Sequence, residues 1–208
     1  MQIAIDGPAA VGKTTVGRAL AHHFGYLFVE TGRMYRAVAL GLSRGRALEE
    51  LSLSVTEDGR LLLNGENVTP LLHTPELDRL ASEVATRPEV RERLVALQRQ
   101  VAHGRNVVME GRDIGTVVLP HADVKLFLEA SPEERARRRA SERGEPGVSK
   151  TLAEIRTRDD RDRTRRVAPL NPAPDATTIV TDARTLAEVI SEAIALVEAR
   201  LEGRGCGG

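Results

Sequence analysis

Residues 7–14 read GPAAVGKT, directly behind the apolar run QIAID (Gln2–Asp6) and in front of a helical pattern from Lys13 to Phe24. A short apolar run, a glycine-rich turn and a helix make a βα unit, and the turn matches G-x-x-x-x-G-K-[ST] in the context that gives the motif its meaning. Gly7 and Gly12 let the backbone wrap so that successive N–H groups face inward. The positive end of the helix adds to them, and the whole cradles phosphate. Lys13 then bridges the β- and γ-phosphates of a nucleoside triphosphate, and the Thr14 hydroxyl can hold Mg²⁺ between them. The expected triphosphate site is therefore Gly7, Pro8, Ala9, Ala10, Val11, Gly12, Lys13, Thr14 and Thr15. Asp6 suits either a water-mediated partner of the metal or a structural cap. Glu110 stands at a strand end where such folds often keep an acid for the metal.

Downstream, the same alternation repeats. Tyr26–Val29 predicts a second strand, with Thr31 as N-cap of a helix to about Ser43. Asn106–Met109 and Val124–Leu128 are apolar runs too short for helices and read as buried parallel strands. Pro132 behind Ser131 opens a helix, Thr178–Val180 predicts a fifth strand, and an amphipathic helix spans Thr185–Leu201. Five strands alternating with helices predict an α/β fold with a doubly wound, five-stranded parallel sheet flanked by helices. Two stretches break the pattern. Leu51–Val68 reads as a β-hairpin, LSLSV and RLLLNGENV joined across Glu57, Asp58 and Gly59, followed by helical segments to about His103. Arg143–Thr151, RGEPGVSKT, reads as a mobile loop between two arginine-bearing helices. The tail GRGCGG is expected to fray.

Composition narrows the classes. The 208 residues are 41% hydrophobic and 29% charged, enough for a buried core without staples, and a single cysteine, Cys206, excludes a disulfide framework. No apolar run is longer than Ala37–Leu42, far short of the ~20 residues of a membrane span. With no secretory pattern at the start, a cytoplasmic chain is expected. Thirty basic and thirty acidic side chains balance, which argues against a nucleic-acid partner. The balance is not uniform: residues 133–166 hold eleven Arg and one Lys against eight acids. Such a stretch suits an anionic ligand, although i,i+4 ion pairing also produces it.

Three further stretches offer polar groups at the predicted sheet edge, where open α/β folds bind ligands. VETGRMYR puts Thr31 and Gly32 at a helix start, with Arg36 one turn in to pin a second phosphate. EGRDIGT puts Arg112 and Asp113 just after a strand. In RTRDDRDRTRR, Arg158, Asp162 and Arg165 are spaced i, i+4, i+7, so one helical face presents cation, anion, cation.

These stretches together resemble the bacterial cytidylate kinases. GPAAVGKT, ETGRMYR, EGRDIGT, the Leu51–Val68 insert, RDDRDR and VAPL (Val167–Leu170) occur in that family's order over nearly the whole length. The resemblance implies a P-loop kinase core (1–45 and 96–204, lid about 143–157) with a CMP-binding insert (46–95). It implies transfer of the γ-phosphoryl of ATP to CMP or dCMP; Mg²⁺ is the expected cofactor, and a monomer is expected although the sequence does not determine the oligomeric state. By motif match, Ser82, Arg91 and Asp113 resemble cytosine-binding positions, and Arg36 and Arg112 resemble those on the acceptor phosphate. Arg158, Asp162 and Arg165 resemble the lid-proximal set around ribose and phosphates. Lys13, Arg112, Arg158 and Arg165 are the expected catalytic groups. Some members carry Gly after the P-loop lysine and the hydroxyl one residue later; this chain has both Thr14 and Thr15, so either can hold the metal. The acceptor phosphate is already an anion, so no nucleophilic side chain or protein base is needed, and catalysis reduces to positioning and electrostatics. Another small-molecule kinase, acting on a different monophosphate or on shikimate, fits the P-loop but not the insert. A GTP-dependent switch lacks an N-K-x-D guanine reader here.

Overall fold

The computed structural model describes residues 1–144 and 147–205. In chain order the elements are β1 (Gln2–Asp6), α1 (Lys13–Phe24), β2 (Leu27–Glu30), α2 (Thr31–Ser43), β3 (Leu53–Val55), β4 (Leu61–Leu63), β5 (Glu66–Asn67), α3 (Pro75–Val84), α4 (Pro88–Ala102), β6 (Val107–Glu110), β7 (Val124–Glu129), α5 (Pro132–Arg143), α6 (Ser149–Thr164), β8 (Thr177–Val180) and α7 (Leu186–Gly205). The expected five-stranded parallel sheet is present, ordered β2-β6-β1-β7-β8. The chain leaves β1 toward β2 and leaves β6 toward β7, so β1 and β6 lie side by side with connections running opposite ways. That switch point opens a crevice at their carboxyl ends.

Alternation along β1 splits the core in two. Ile3 and Ile5 join Val16, Leu20, Val108, Leu126, Ile179 and Val197 on one face. Ala4 faces the other, with Met34, Val38, Val107 and Met109. Leu61, Leu63 and Leu72 from the inserted stretch belong to that second cluster as well, so the insert has no separate core. α4 runs unbroken through position 95, where the expected border of the insert falls. On β7, buried Lys125 donates to the Pro120 carbonyl (2.6 Å) and to Asp175 Oδ1 (2.8 Å). Helix starts follow local chemistry: Ser131 Oγ accepts from the Glu134 N–H at 3.3 Å and Thr74 Oγ1 from that of Leu77 at 3.2 Å, each with proline next in the chain.

Three local expectations are corrected. RLLLNGENV is two strands, because Asn64 (φ 50°) and Gly65 (φ 83°) both turn left-handed and return β5 onto β4, with Leu63 opposite Glu66. That is the backbone a two-residue Asn-Gly turn requires, and it makes a three-stranded antiparallel sheet of the expected hairpin. Thr31 is the first residue of α2, not its N-cap; Glu30 holds that position, and the Thr31 hydroxyl donates to the Glu110 carbonyl at 2.7 Å. α7 continues beyond Leu201 to Gly205, so part of the tail expected to fray is helical. Positions 206–208 of that tail, and positions 145 and 146 of the expected mobile loop, lie outside the described residues. Within that loop α6 has already begun at Ser149, with exposed Lys150 in its first turn.

Candidate active site

The P-loop follows β1 without a spacer. Gly7 (φ 146°) passes so close to β7 that a Cβ there would sit 2.3 Å from the Leu128 carbonyl oxygen, which rules out any side chain. Ala10 (φ 58°) and Gly12 (φ 99°) are also left-handed, and Gly12 leads straight into α1. Lys13 is buried and folds back over the loop, donating to the Pro8 carbonyl at 2.7 Å, with Glu110 Oε2 4.0 Å away. Burial pulls the Lys13 ammonium below its ordinary range, Arg112 adds to this, and Glu110 opposes it. Burial likewise raises Glu110, against the pull of Lys13.

Thr14 Oγ1 donates to Glu110 Oε1 at 3.2 Å, whereas Thr15 is exposed. The Thr14 hydroxyl and the Glu110 carboxylate are hard oxygen donors, and no group of three or more His, Cys, Asp or Glu gathers to hold a metal among the described residues. The pair fits an ion such as Mg²⁺ that arrives with phosphate oxygens of its own, rather than a dedicated protein cage.

Asp6 is a cap. Its Oδ1 accepts the Ile114 N–H (2.8 Å) and its Oδ2 the Gly115 N–H (2.7 Å), anchoring a wide π-type turn over Ile114–Val118. Burial pushes this carboxyl up to about 6, against the two N–H donors. The anchored turn follows Arg112 and Asp113 and so fixes both at the carboxyl end of β6.

Two clusters of charge stand there. In one, Asp113 accepts from Arg91 and, at 3.4 Å, from Arg165, while Arg91 also meets the Tyr35 hydroxyl at 3.4 Å. Burial raises the Tyr35 phenol. Ser82 lies beside α6, accepting from Arg161 at 3.1 Å. In the other cluster, Arg112 Nε donates to Asp162 at 2.9 Å. Arg158 lies among Arg112, Asp162, Asp78 and Arg36, with its Nε buried and unpartnered. Burial, then Arg112, lowers Arg158 to about 10. Despite burial, Arg112 and Arg158 hold Asp162 below the usual carboxylate range. Arg36 is held by Glu30 and, at 2.9 Å, by Asp78, which also takes Arg139.

The residues expected at the site lie on the P-loop and the start of α1, on α2, α3 and α4, just past the carboxyl end of β6, and on or at the end of α6. Arg165 is the C-cap of α6 rather than part of its face, yet it still turns toward Asp113. Gly32 is exposed at the start of α2. Sequence reasoning misses Tyr35, Asp78, Arg139 and Arg161. Tyr35 is readable from helical spacing, four residues after Thr31; the others sit among ordinary helix charges with nothing to mark them. A cavity of about 560 Å³ lies elsewhere, between β2 and the Glu57–Gly59 turn, and one of about 340 Å³ beside Arg161 and Arg165. Neither contains a P-loop residue, and the convergence of charge marks the site better than either.

A family model described as cytidylate kinase matches residues 3–199. Among named proteins, the chain is 47% identical to a cytidylate kinase of Pelotomaculum thermopropionicum, with 95% of this chain and 96% of that one covered. It is 44% identical to one from Solibacter usitatus (96% and 93% covered) and 43% identical to one from Thermotoga maritima (96% and 98%). Among solved structures, a shikimate kinase from Bacteroides thetaiotaomicron matches with a TM-score of 0.51 at 17% identity, covering 97% of this chain and 98% of that one. An uncharacterized protein from Eubacterium ventriosum matches with a TM-score of 0.58 at 13% identity (96% and 98% covered). At those identities the structural matches speak for the fold alone.

Proposed function

The chain belongs to the cytidylate kinase family, and on that footing we propose that it transfers the γ-phosphoryl group of ATP to CMP or dCMP, giving ADP and CDP or dCDP. The observation that carries the reading is the facing of a P-loop by an acidic and arginine-rich acceptor edge, both anchored to the switch point by Asp6. The P-loop N–H groups and Lys13 bind the triphosphate. Thr14, with Glu110 beside it, would hold Mg²⁺, which would supply positive charge to offset that of the triphosphate. Arg36 and Arg112 receive the acceptor phosphate, exchanging the carboxylates of Glu30, Asp78 and Asp162 for it. Arg158 and Arg165 neutralise charge as the two phosphates converge, and Asp162 accepts a ribose hydroxyl. Asp113, Arg91 and Ser82 read the base. The insert (46–95) supplies the acceptor side to the core (1–45 and 96–204), and the lid (about 143–157) excludes water from the transfer.

The test is a panel of nucleoside monophosphates, each with Mg-ATP, in a coupled assay for ADP release. CMP and dCMP are expected to lead the panel clearly. Preference for another monophosphate or for shikimate, or ADP release that needs no acceptor, overturns the assignment.

A further inference from the structure

Arg135, on α5, is 1% exposed and enters neither set of ligand-binding residues. Its Nε donates to the Ala130 carbonyl (3.0 Å). Its Nη1 donates to the Ala9 carbonyl of the P-loop (3.2 Å) and to Asp159 Oδ1 (3.0 Å), and its Nη2 reaches Asp159 Oδ2. One buried guanidinium therefore joins the tip of the P-loop to α6 through a two-pronged ion pair. Asp159 is the residue after Arg158 and lies one turn before Asp162, the α6 groups turned toward the acceptor edge. A bidentate fork is stiff in plane and angle, so α6 cannot shift without moving the guanidinium. The Ala9 carbonyl it grips precedes left-handed Ala10, a backbone held only by its surroundings.

We infer that Arg135 and Asp159 are a positioning pair that couples the two halves of the site, so that a bound acceptor, by fixing Arg158 and Asp162, also fixes the P-loop for the donor. The inference rests on the acceptor assignment above and adds to it a route by which each nucleotide tightens the other. Linkage requires the effect to be reciprocal. Removing one partner strands a buried charge, whereas replacing both by apolar groups removes the bond to Ala9 without that penalty.

Calorimetric titration of Mg-ADP into the full chain, alone and with saturating CMP, reads the coupling, because that pair offers no γ-phosphoryl to transfer. In the wild type, CMP is expected to tighten ADP by about fivefold or more. In Asp159→Asn the gain is expected to fall below about twofold, with each ligand's own affinity within about threefold of wild type. Circular dichroism checks that the variant is folded; should it not be, Arg135→Met/Asp159→Leu, which leaves no buried charge, is expected to fold and lose the same coupling. Undiminished coupling in a folded variant, or none in the wild type, overturns the pair's role. CMP titrated into the wild type by itself gives the separate control: no binding of CMP there is a different result, since it overturns the acceptor assignment itself.

Discussion

Asp113 is buried and already takes hydrogen bonds from Arg91 and Arg165, yet a carboxylate has about four lone-pair sites and can accept one more. Cytosine offers an exocyclic amino donor beside acceptors, where uracil offers a carbonyl, so a carboxylate held by guanidiniums can separate them without stacking. Asp113→Asn keeps the shape but adds a donor, and the CMP-to-UMP ratio of kcat/KM is expected to fall about tenfold, or about 1.4 kcal/mol. Measuring both substrates on one preparation decides it: an unchanged ratio with both rates lowered makes Asp113 an orienting group for Arg112. Asp6 permits a pH test. Its carboxyl moves from 3.8 in the unfolded chain to about 6 in the fold, so the folded state holds the extra proton between those values. The stabilisation is full below 3.8 and is lost as pH rises through about 6, a change of about 3 kcal/mol at about 1.4 kcal/mol per unit. Asp6→Asn lacks this titration, so its melting temperature relative to wild type should rise between pH 4.5 and 7.5. A difference that does not vary with pH would show that Asp6 keeps its ordinary acidity.

Among the elements, the Asn64-Gly65 turn is the place where backbone conformation alone sets the outcome. Gly65 (φ 83°) has open space where a Cβ would project, so Gly65→Ala meets no neighbour and its cost is purely conformational. About 1 kcal/mol is expected, lowering the melting temperature by about 2–4 °C, with CMP kinetics unchanged because the Asn64 side chain bonds to the Ser52 N–H and not to the charged edge. A change in KM for CMP would tie this sheet to acceptor binding. The same turn shows what can be read without coordinates. The parallel strands are legible to within a residue or so, because apolar runs bounded by turn residues leave little choice. The Asn-Gly pair is an equally strong signal, but inside RLLLNGENV the leucines before it suggest one continuous strand and mask it. The π-type turn after Asp113 is not legible, since it depends on Asp6, more than a hundred residues away, capping Ile114 and Gly115. For the same reason Arg36, Arg112 and Asp113 can be proposed from local stretches and Arg91 only from the family resemblance, while Asp78 and Arg139 acquire meaning only once α2, α3 and α5 meet.

Over the whole molecule, the insert and the sheet share one hydrophobic cluster. Leu72 in the insert is fully buried in the company of Ala4 and Met109 from the central strands. Leu72→Ala is therefore expected to cost about 2–5 kcal/mol and to lower the urea midpoint of a single transition, without a separate early phase for the insert. Two transitions, with only the first displaced, would show that the insert folds as a unit of its own. Lysine, finally, is sparse and unevenly placed. Of the chain's three lysines, Lys13 and Lys125 are buried and hydrogen-bonded, and Lys150 is exposed in the first turn of α6. Amine-reactive dyes will therefore find one ε-amino group, besides the chain's amino terminus, and that group sits on the helix that carries Arg158 and Asp162, so ordinary bioconjugation places a fluorescent reporter on that helix without any engineered residue.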